Sequence, residues 1–301
     1  VQAQRTLQPI FDAGLLPVVT GFFGADVHGI TATLGRGGSD YSAAILGSVL
    51  DASEIWIWTD VDGVLTADPR LVPEAQTLSA VSYAEATELA YFGAKVLHPK
   101  TMLPAIDRGI PISVRNTFNP RFPGTMVVSQ TRNGGQVKAL TVIRGLALVT
   151  IAGRGMMGVP GIAARTFAAV AQQGANILMI SQASSEQSIC FVVPGSDAAS
   201  VSRGLERTFE EEIRRRLIDR VTVEPDIVIV AIVGEGMRGT PGIAARIFGA
   251  LGEHRVNVIA VAQGSSEANI SLVVGDADAS AAVRYIHSAF ALGQPATAEA
   301  A

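Results

Sequence analysis

Cysteine is almost absent from this sequence: Cys190 stands alone among 301 residues, which excludes an internal disulfide and suits a reducing compartment. A cytoplasmic location is the expectation. Charge is also sparse, at 17% of residues, and 23 Lys and Arg against 27 Asp and Glu leave a net charge of −4. Such a balance provides no positive field for a polyanion, so neither nucleic acid nor an anionic membrane is an expected partner. Long apolar runs are missing as well. The chain is 48% hydrophobic with mean hydropathy +0.34, yet runs such as 227–233 stop far short of the roughly 18 to 20 residues that cross a bilayer. The sequence opens at Val1 with no initiator Met and no basic and apolar leader, so no secretory signal is expected and the chain reads as a piece of a longer one.

What is present is an internal repeat. GRGMMGVPGIAARTF at 153–167 returns as GEGMRGTPGIAARIF at 234–248, and NILMISQASSEQSI at 176–189 returns as NVIAVAQGSSEANI at 257–270. Both pairs are offset by 81 (234 − 153 and 257 − 176), so the repeat is one collinear unit. In each copy an apolar run (146–152; 227–233) meets a Gly-rich turn, and Pro160 or Pro241 is expected at the first helical position of an Ala-rich helix. Strand-like runs follow at 177–182 and 188–193, and at 258–263 and 269–274, before a second helix near Ser196 or Asp278. Copy 1 then has a fourth strand at 221–224, completing a ferredoxin-like βαββαβ order. Copy 2 has none after its second helix. Its open edge needs a partner, and the unassigned run at 137–143 can supply one if copy 1 is inserted into copy 2.

Residues 1–127 alternate strand and helix without repetition, which implies a mostly parallel α/β sheet. Buried strands are expected at 15–20, 54–58 and 110–115, and helices at 40–51, 83–91 and 100–108, the second opened by a Ser82–Glu85 capping box and the third ended by Gly109. The Pro, Gly, Asn and Thr of 121–135 read as a linker.

Three segments carry chemistry. LGRGGSDYSAA at 34–44 leads a Gly-rich turn into a helix, where backbone N–H groups and Arg36 could grip a carboxylate; the alternative is an ordinary turn with Ser39 or Asp40 as N-cap. WTDVDGVLTADPR at 58–70 follows a buried strand, at the carboxyl end where open α/β sheets bind ligands. Its Asp60, Asp62 and Asp68 lack the regular spacing and distal Glu of a calcium loop. FGAKVLHPKT at 92–101 carries Lys95, a point charge suited to phosphate, while His98 before Pro99 reads as capping or orienting the next helix. No Ser/His/Asp set, metal cluster or paired-carboxylate pattern occurs. In the repeat, Gly153, Gly155 and Gly158 imitate a dinucleotide fingerprint, but no acidic residue ends the next strand, the pattern occurs twice, and the units lack a long parallel sheet. A small carboxylate at the helix start remains a fit, with Asn176 and Gln182 offering amides unless they are merely polar strand ends. Met156 and Met157 read as packing residues, and FEEEIRRRLIDR at 209–220 as a solvated helix face.

Taken in series, these segments resemble aspartate kinases, members of the amino-acid kinase family with C-terminal tandem ACT regulatory domains, including those fused to homoserine dehydrogenase. The resemblance covers essentially the whole chain. It implies a partial amino-acid kinase domain at 1–127, its nucleotide-binding part, followed by ACT domain 1 at 145–224 inserted into ACT domain 2 at 136–144 plus 225–295. It implies ATP-dependent phosphorylation of the L-aspartate β-carboxylate with Mg²⁺, feedback control by threonine or lysine, and a homo-oligomer, at least a dimer, built through the ACT domains. By the same resemblance Arg36, Ser39 and Asp40 are catalytic, Phe22, Arg36 and Ser39 bind aspartate, and Thr59, Asp60, Leu65, Arg70 and Lys95 line the ATP site. Met156, Gly158, Val159, Gly161, Asn176 and Gln182 would hold the effector. The family's Lys-Phe-Gly-Gly segment and aspartate lobe are not in this sequence, so the 301 residues alone are expected to be inactive. The rival reading is a non-catalytic amino-acid-binding regulatory subunit.

Overall fold

A computed structural model describes residues 2–93, 97–131, 137–182 and 187–294. The chain divides into two compact units, one of residues 1–141, 233–241 and 290–301, the other of 142–232 and 242–289.

In the first unit α1 (Gln2–Asp12), a short hairpin of β1 (Phe23–Ala25) and β2 (Thr31–Thr33), and α2 (Gly38–Val49) precede β3 (Ile55–Thr59). Then come β4 (Ala80–Ser82), α3 (Tyr83–Tyr91), α4 (Pro99–Ile106), β5 (Ile112–Asn116) and β6 (Thr125–Val128). The sheet order is β3-β5-β6-β4, with β3–β5 and β4–β6 parallel and β5–β6 antiparallel. Alternation along β3 turns Ile55 and Ile57 into a core with Ala44, Met102, Ala105 and Val114. The capping box is present: Ser82 and Glu85 exchange hydrogen bonds at the start of α3.

Two expectations fail here. Residues 15–20 form no strand, and Leu16 and Val18 are 86% and 92% exposed; a β-branched run becomes a strand only where a partner's backbone is available, and none of the described strands pairs with it. Residues 121–135 are not all linker, because β6 lies among them with Thr125 and Val127 fully buried. The turn that admits it needs glycine: Gly124 has φ 77, and a Cβ there would stand 1.9 Å from the Val114 carbonyl oxygen.

The repeat builds a six-stranded sheet. Its elements are β7 (Ala139–Ala152), α5 (Ile162–Gln172), β8 (Met179–Gln182), β9 (Ser188–Pro194), α6 (Ala198–Thr208), α7 (Glu210–Arg214), β10 (Arg220–Val233), α8 (Ile243–Glu253), β11 (Ala260–Gln263), β12 (Asn269–Gly275) and α9 (Ala279–Ala289), in the order β11-β12-β10-β7-β9-β8. The proposed fourth strands are halves of the two long central ones. The Lys138 N–H donates to Val233 O and the Asp219 N–H to Ala152 O, both at 2.8 Å, so β7 and β10 run antiparallel over their whole length. Copy 1 thus takes 220–224 beside its first strand, and copy 2 takes 139–143 beside its own, as two ferredoxin-like units with the first inserted into the second. Facing rungs of the two continuous strands carry left-handed residues, Gly145 with φ 73 and Asp226 with φ 55.

The helices start later than their prolines suggest: Gly161 and Gly242, both left-handed, cap α5 and α8, leaving Pro160 and Pro241 in the preceding turn. Met156 packs into the copy 1 core, but Met157 is 58% exposed. The charged run at 209–220 is not simply a solvated face, since Phe209 and Ile218 are buried in that core. Each copy pins its helices alike: Arg165 Nη2 donates to the last carbonyl of α6, Thr208, at 2.7 Å, and Arg246 Nη2 to the last of α9, Ala289, at 2.6 Å. Arg165 also pairs with Glu212 and lies over the Phe209 ring, 4.5 Å from its centroid.

Arg165→Ala is expected to cost about 1 to 2 kcal/mol in denaturant unfolding. The hydrogen bond from Arg165 holds the Glu212 pKa below its ordinary value. The pair's stabilisation is therefore present above the unfolded pKa and lost as pH falls through the folded one. The gap between wild type and variant should narrow in acid; a gap constant from neutral pH to pH 3 would show that the pair contributes nothing.

Candidate functional site

The Gly-rich turn ahead of α2 begins with a cap that no side chain provides. Gly37 adopts φ 71 and caps the helix without a side-chain hydrogen bond, so neither Ser39 nor Asp40 is the N-cap. A Cβ at Gly37 would meet Thr101 Cγ2 at 3.0 Å and His98 Cβ at 3.3 Å, so the turn rests on the start of α4. His98 serves there as N-cap, its Nδ1 accepting the Lys100 N–H. Arg36 and Ser39 are exposed beside this helix start, an arrangement of cation and backbone donors suited to a carboxylate. Phe22 comes close: its N–H donates to Ser42 Oγ at 3.1 Å, its Cα would lie 3.0 Å from a Cβ on Gly38, and its φ of 64 marks a backbone held by its surroundings. A cavity of about 380 Å³ near Gly21 and Ser39 is walled mainly by Leu7, Phe11, Leu16 and Val19, an apolar lining that does not suit a dicarboxylate.

Asp40, in the first turn of α2, has a pKa above its ordinary value because burial penalises its charge.

The second group follows β3. Thr59 Oγ1 donates to Asp60 Oδ1 at 3.2 Å, and Asp60 is exposed. The next carboxylate is tied down: Asp62 Oδ1 accepts from Asn116 Nδ2 at 2.8 Å and Asn119 Nδ2 at 3.1 Å. Gly63, at φ 122, lets the loop pass Thr125, whose Oγ1 accepts the Val64 N–H and donates to Leu78 O. Leu65 pairs with Thr77 in an isolated bridge. Arg70 is exposed and doubly bonded to Asp68, which raises its pKa. Lys95 lies outside the described residues. Asn116 and Asn119 escaped the sequence reading because an amide in a loop carries no signal until its partner, 54 or 57 residues away, is known.

A third group lies in the second unit. Met156, Gly158, Val159, Gly161 and Gln182 line one cavity of about 320 Å³. Gly161, at φ 89, opens α5 with no side-chain cap, so the helix again presents backbone donors. Asn176 is exposed and is not in the lining.

Because burial raises the Asp40 pKa, its favourable contribution is complete only below the unfolded pKa and falls as pH climbs through the folded one. Asp40→Asn should therefore match or exceed wild type in thermal unfolding at pH 7, with the difference closing in acid. A clearly less stable Asn variant at pH 7 would contradict this.

Comparison with known proteins covers both parts of the chain. The amino acid kinase family matches residues 1–116, and the ACT domain family matches 149–209 and 230–290. The chain is 48% identical over 282 residues to the maize chloroplastic bifunctional aspartokinase/homoserine dehydrogenase 1, covering 92% of this chain and 31% of that protein. It is 36% identical over 286 residues to the lysine-sensitive aspartokinase 3 of Escherichia coli, covering 95% and 62%. Among solved structures, Clostridium acetobutylicum aspartate kinase superposes with TM-score 0.82 at 32% identity over 91% of this chain and 62% of that one. E. coli aspartokinase III with lysine and aspartate gives 0.76 at 35% over 95% and 62%. The chain thus spans about a third of its bifunctional relatives and less than two thirds of the others. With an amino acid kinase segment followed by two ACT matches, and aspartokinases among its relatives, the chain belongs to the aspartokinase family.

Proposed function

We propose that the full-length protein is an aspartate kinase, transferring the γ-phosphoryl group of ATP to the β-carboxylate of L-aspartate, and that these residues form its nucleotide side and its regulator. The observation that carries this reading is the glycine-capped start of α2 with Arg36 beside it. The Arg36 guanidinium and the Ser39 N–H would hold the substrate carboxylates, with Phe22 and Asp40 closing the pocket. Thr59, Asp60, Leu65, Arg70 and Lys95 would position ATP. The reaction needs charge stabilisation and alignment rather than a protein nucleophile: a carboxylate oxygen attacks the γ-phosphorus and ADP leaves. Asp60, exposed just after β3, would be the carboxylate available to Mg²⁺ carried on the nucleotide phosphates. Bound there, Mg²⁺ would neutralise charge on the transferred phosphoryl group.

The cavity before α5 is read as the effector site, its size within the range of small-ligand pockets. Threonine is the first assignment, because the segment 176–182 offers amide and hydroxyl partners and no acid for a second ammonium. Lysine is the second, since a relative is named lysine-sensitive and a solved relative holds lysine. The full-length enzyme is read as at least a dimer built through the ACT units, to be checked by light scattering at micromolar concentration.

In the full-length enzyme Arg36→Ala should raise KM for aspartate by at least tenfold, on the order of one lost charge-assisted contact, while KM for ATP stays within about threefold; Lys95→Ala should do the reverse. Unchanged kinetics in both would remove the assignment. Gln182→Ala should weaken threonine binding in calorimetry, whereas full retention, or no heat with threonine, would move the effector reading to lysine or to another site.

A further inference from the structure

Glu85 is fully buried, and its two carboxylate oxygens accept from one near and one distant backbone donor. Oε2 accepts the Ser82 N–H at 2.9 Å in the capping box of α3. Oε1 accepts the N–H of Glu235 at 3.0 Å, from 150 residues away. Glu235 opens the short 3₁₀ turn Glu235–Met237 that follows β10. That turn corresponds, through the repeat, to the one lining the cavity in copy 1. Both partners lie within the first compact unit.

A capping box needs only one oxygen of its glutamate. The second one, pointed at a repeat's turn, serves no local purpose for the helix. Two further bonds join the same parts of that unit: the Leu140 N–H donates to Thr66 O at 2.8 Å, and Thr141 Oγ1 donates to Phe92 O at 2.9 Å. Thr66 adjoins Leu65, and Phe92 ends α3 immediately ahead of the sequence that carries Lys95. The copies differ here. In copy 1 the corresponding turn bonds to its own copy, Gly155 N–H to Leu217 O at 2.9 Å. Only the turn of copy 2 is tied to the kinase segment in this way among the described residues.

We propose that Glu85 is the positioning residue through which the copy 2 turn sets the α3 end of the nucleotide side, so that an amino acid held by the repeat alters catalysis without touching either substrate. This rests on the regulatory reading given above. A ligand shifts catalysis only as far as it distinguishes two arrangements of the element that transmits it. Here that element is one hydrogen bond, and the Glu235 N–H can be deleted alone. Glu235 is the first residue of its turn, and the preceding Gly234 is extended with ψ 124, so proline fits. Glu235→Ala keeps the N–H and loses only an exposed side chain.

The test uses the full-length enzyme, with threonine and lysine as probes, and reads uninhibited kcat and KM, effector Kd by calorimetry, and inhibition curves. Glu235→Pro should keep effector Kd within about threefold of wild type yet need at least tenfold more effector for half-inhibition, within the usual range of allosteric coupling. Glu85→Gln, with one acceptor for two donors, should follow it, and Glu235→Ala should match wild type. Proline and glutamine variants that are folded and inhibited like wild type overturn the proposal. So does effector binding lost in step with inhibition, which would put the contact inside the binding site. A wild-type enzyme inhibited by neither amino acid fails at an earlier arm, removing the regulatory reading itself along with this inference.

Discussion

The antiparallel pairing of β7 with β10 is the constraint on which the rest of the repeat region depends. A ferredoxin-like sheet that ends at three strands leaves a row of backbone donors and acceptors without partners. Copy 2 meets this by taking 139–143, which precedes copy 1 in sequence. The chain is therefore obliged to leave copy 2's sheet, build all of copy 1, and return through β10. Each long strand serves both copies in succession, and the left-handed Gly145 and Asp226 stand opposite each other where one service ends and the other begins.

That exchange breaks the symmetry of two copies whose elements otherwise recur at a fixed offset. Copy 1's Gly-rich turn packs on 217–219, the approach to its own fourth strand, so closely that a Cβ on Gly153 would stand 2.3 Å from Leu217 O. In copy 2 a buried glutamate from α3 meets the corresponding turn. Near-identical sequences thus acquire different neighbours because their fourth strands come from different places in the chain.

Helix starts divide by purpose. α3 is capped by Ser82 and Glu85, and α4 by His98, all through side chains that consume backbone donors. α2, α5 and α8 begin from left-handed glycines with no side-chain cap. A glycine cap leaves the first N–H groups facing outward with the positive end of the helix, which suits the places where a carboxylate would be received. Asp40, in the first turn of α2, sits in a partly desolvated spot where burial disfavours its charge.

Local pattern settled much of this in advance. The repeat, its βαββα order, the missing strand of copy 2, the Ser82 capping box and the role of His98 all follow from periodicity, residue type and short-range spacing, which the physics of helices and strands makes readable. The glycine turns were legible for the same reason. Other features needed the folded chain. Residues 15–20 have the composition of a strand but no partner, because composition expresses a preference and pairing requires a neighbour. β6 hid in a run of turn residues because close backbone approach at Gly124 is a tertiary fact. Which aspartate of the 58–70 segment stays exposed was decided by Asn116 and Asn119, and which glutamate reaches the copy 2 turn was decided by burial. Those are contacts between residues tens to hundreds of positions apart, set by packing that no local pattern encodes.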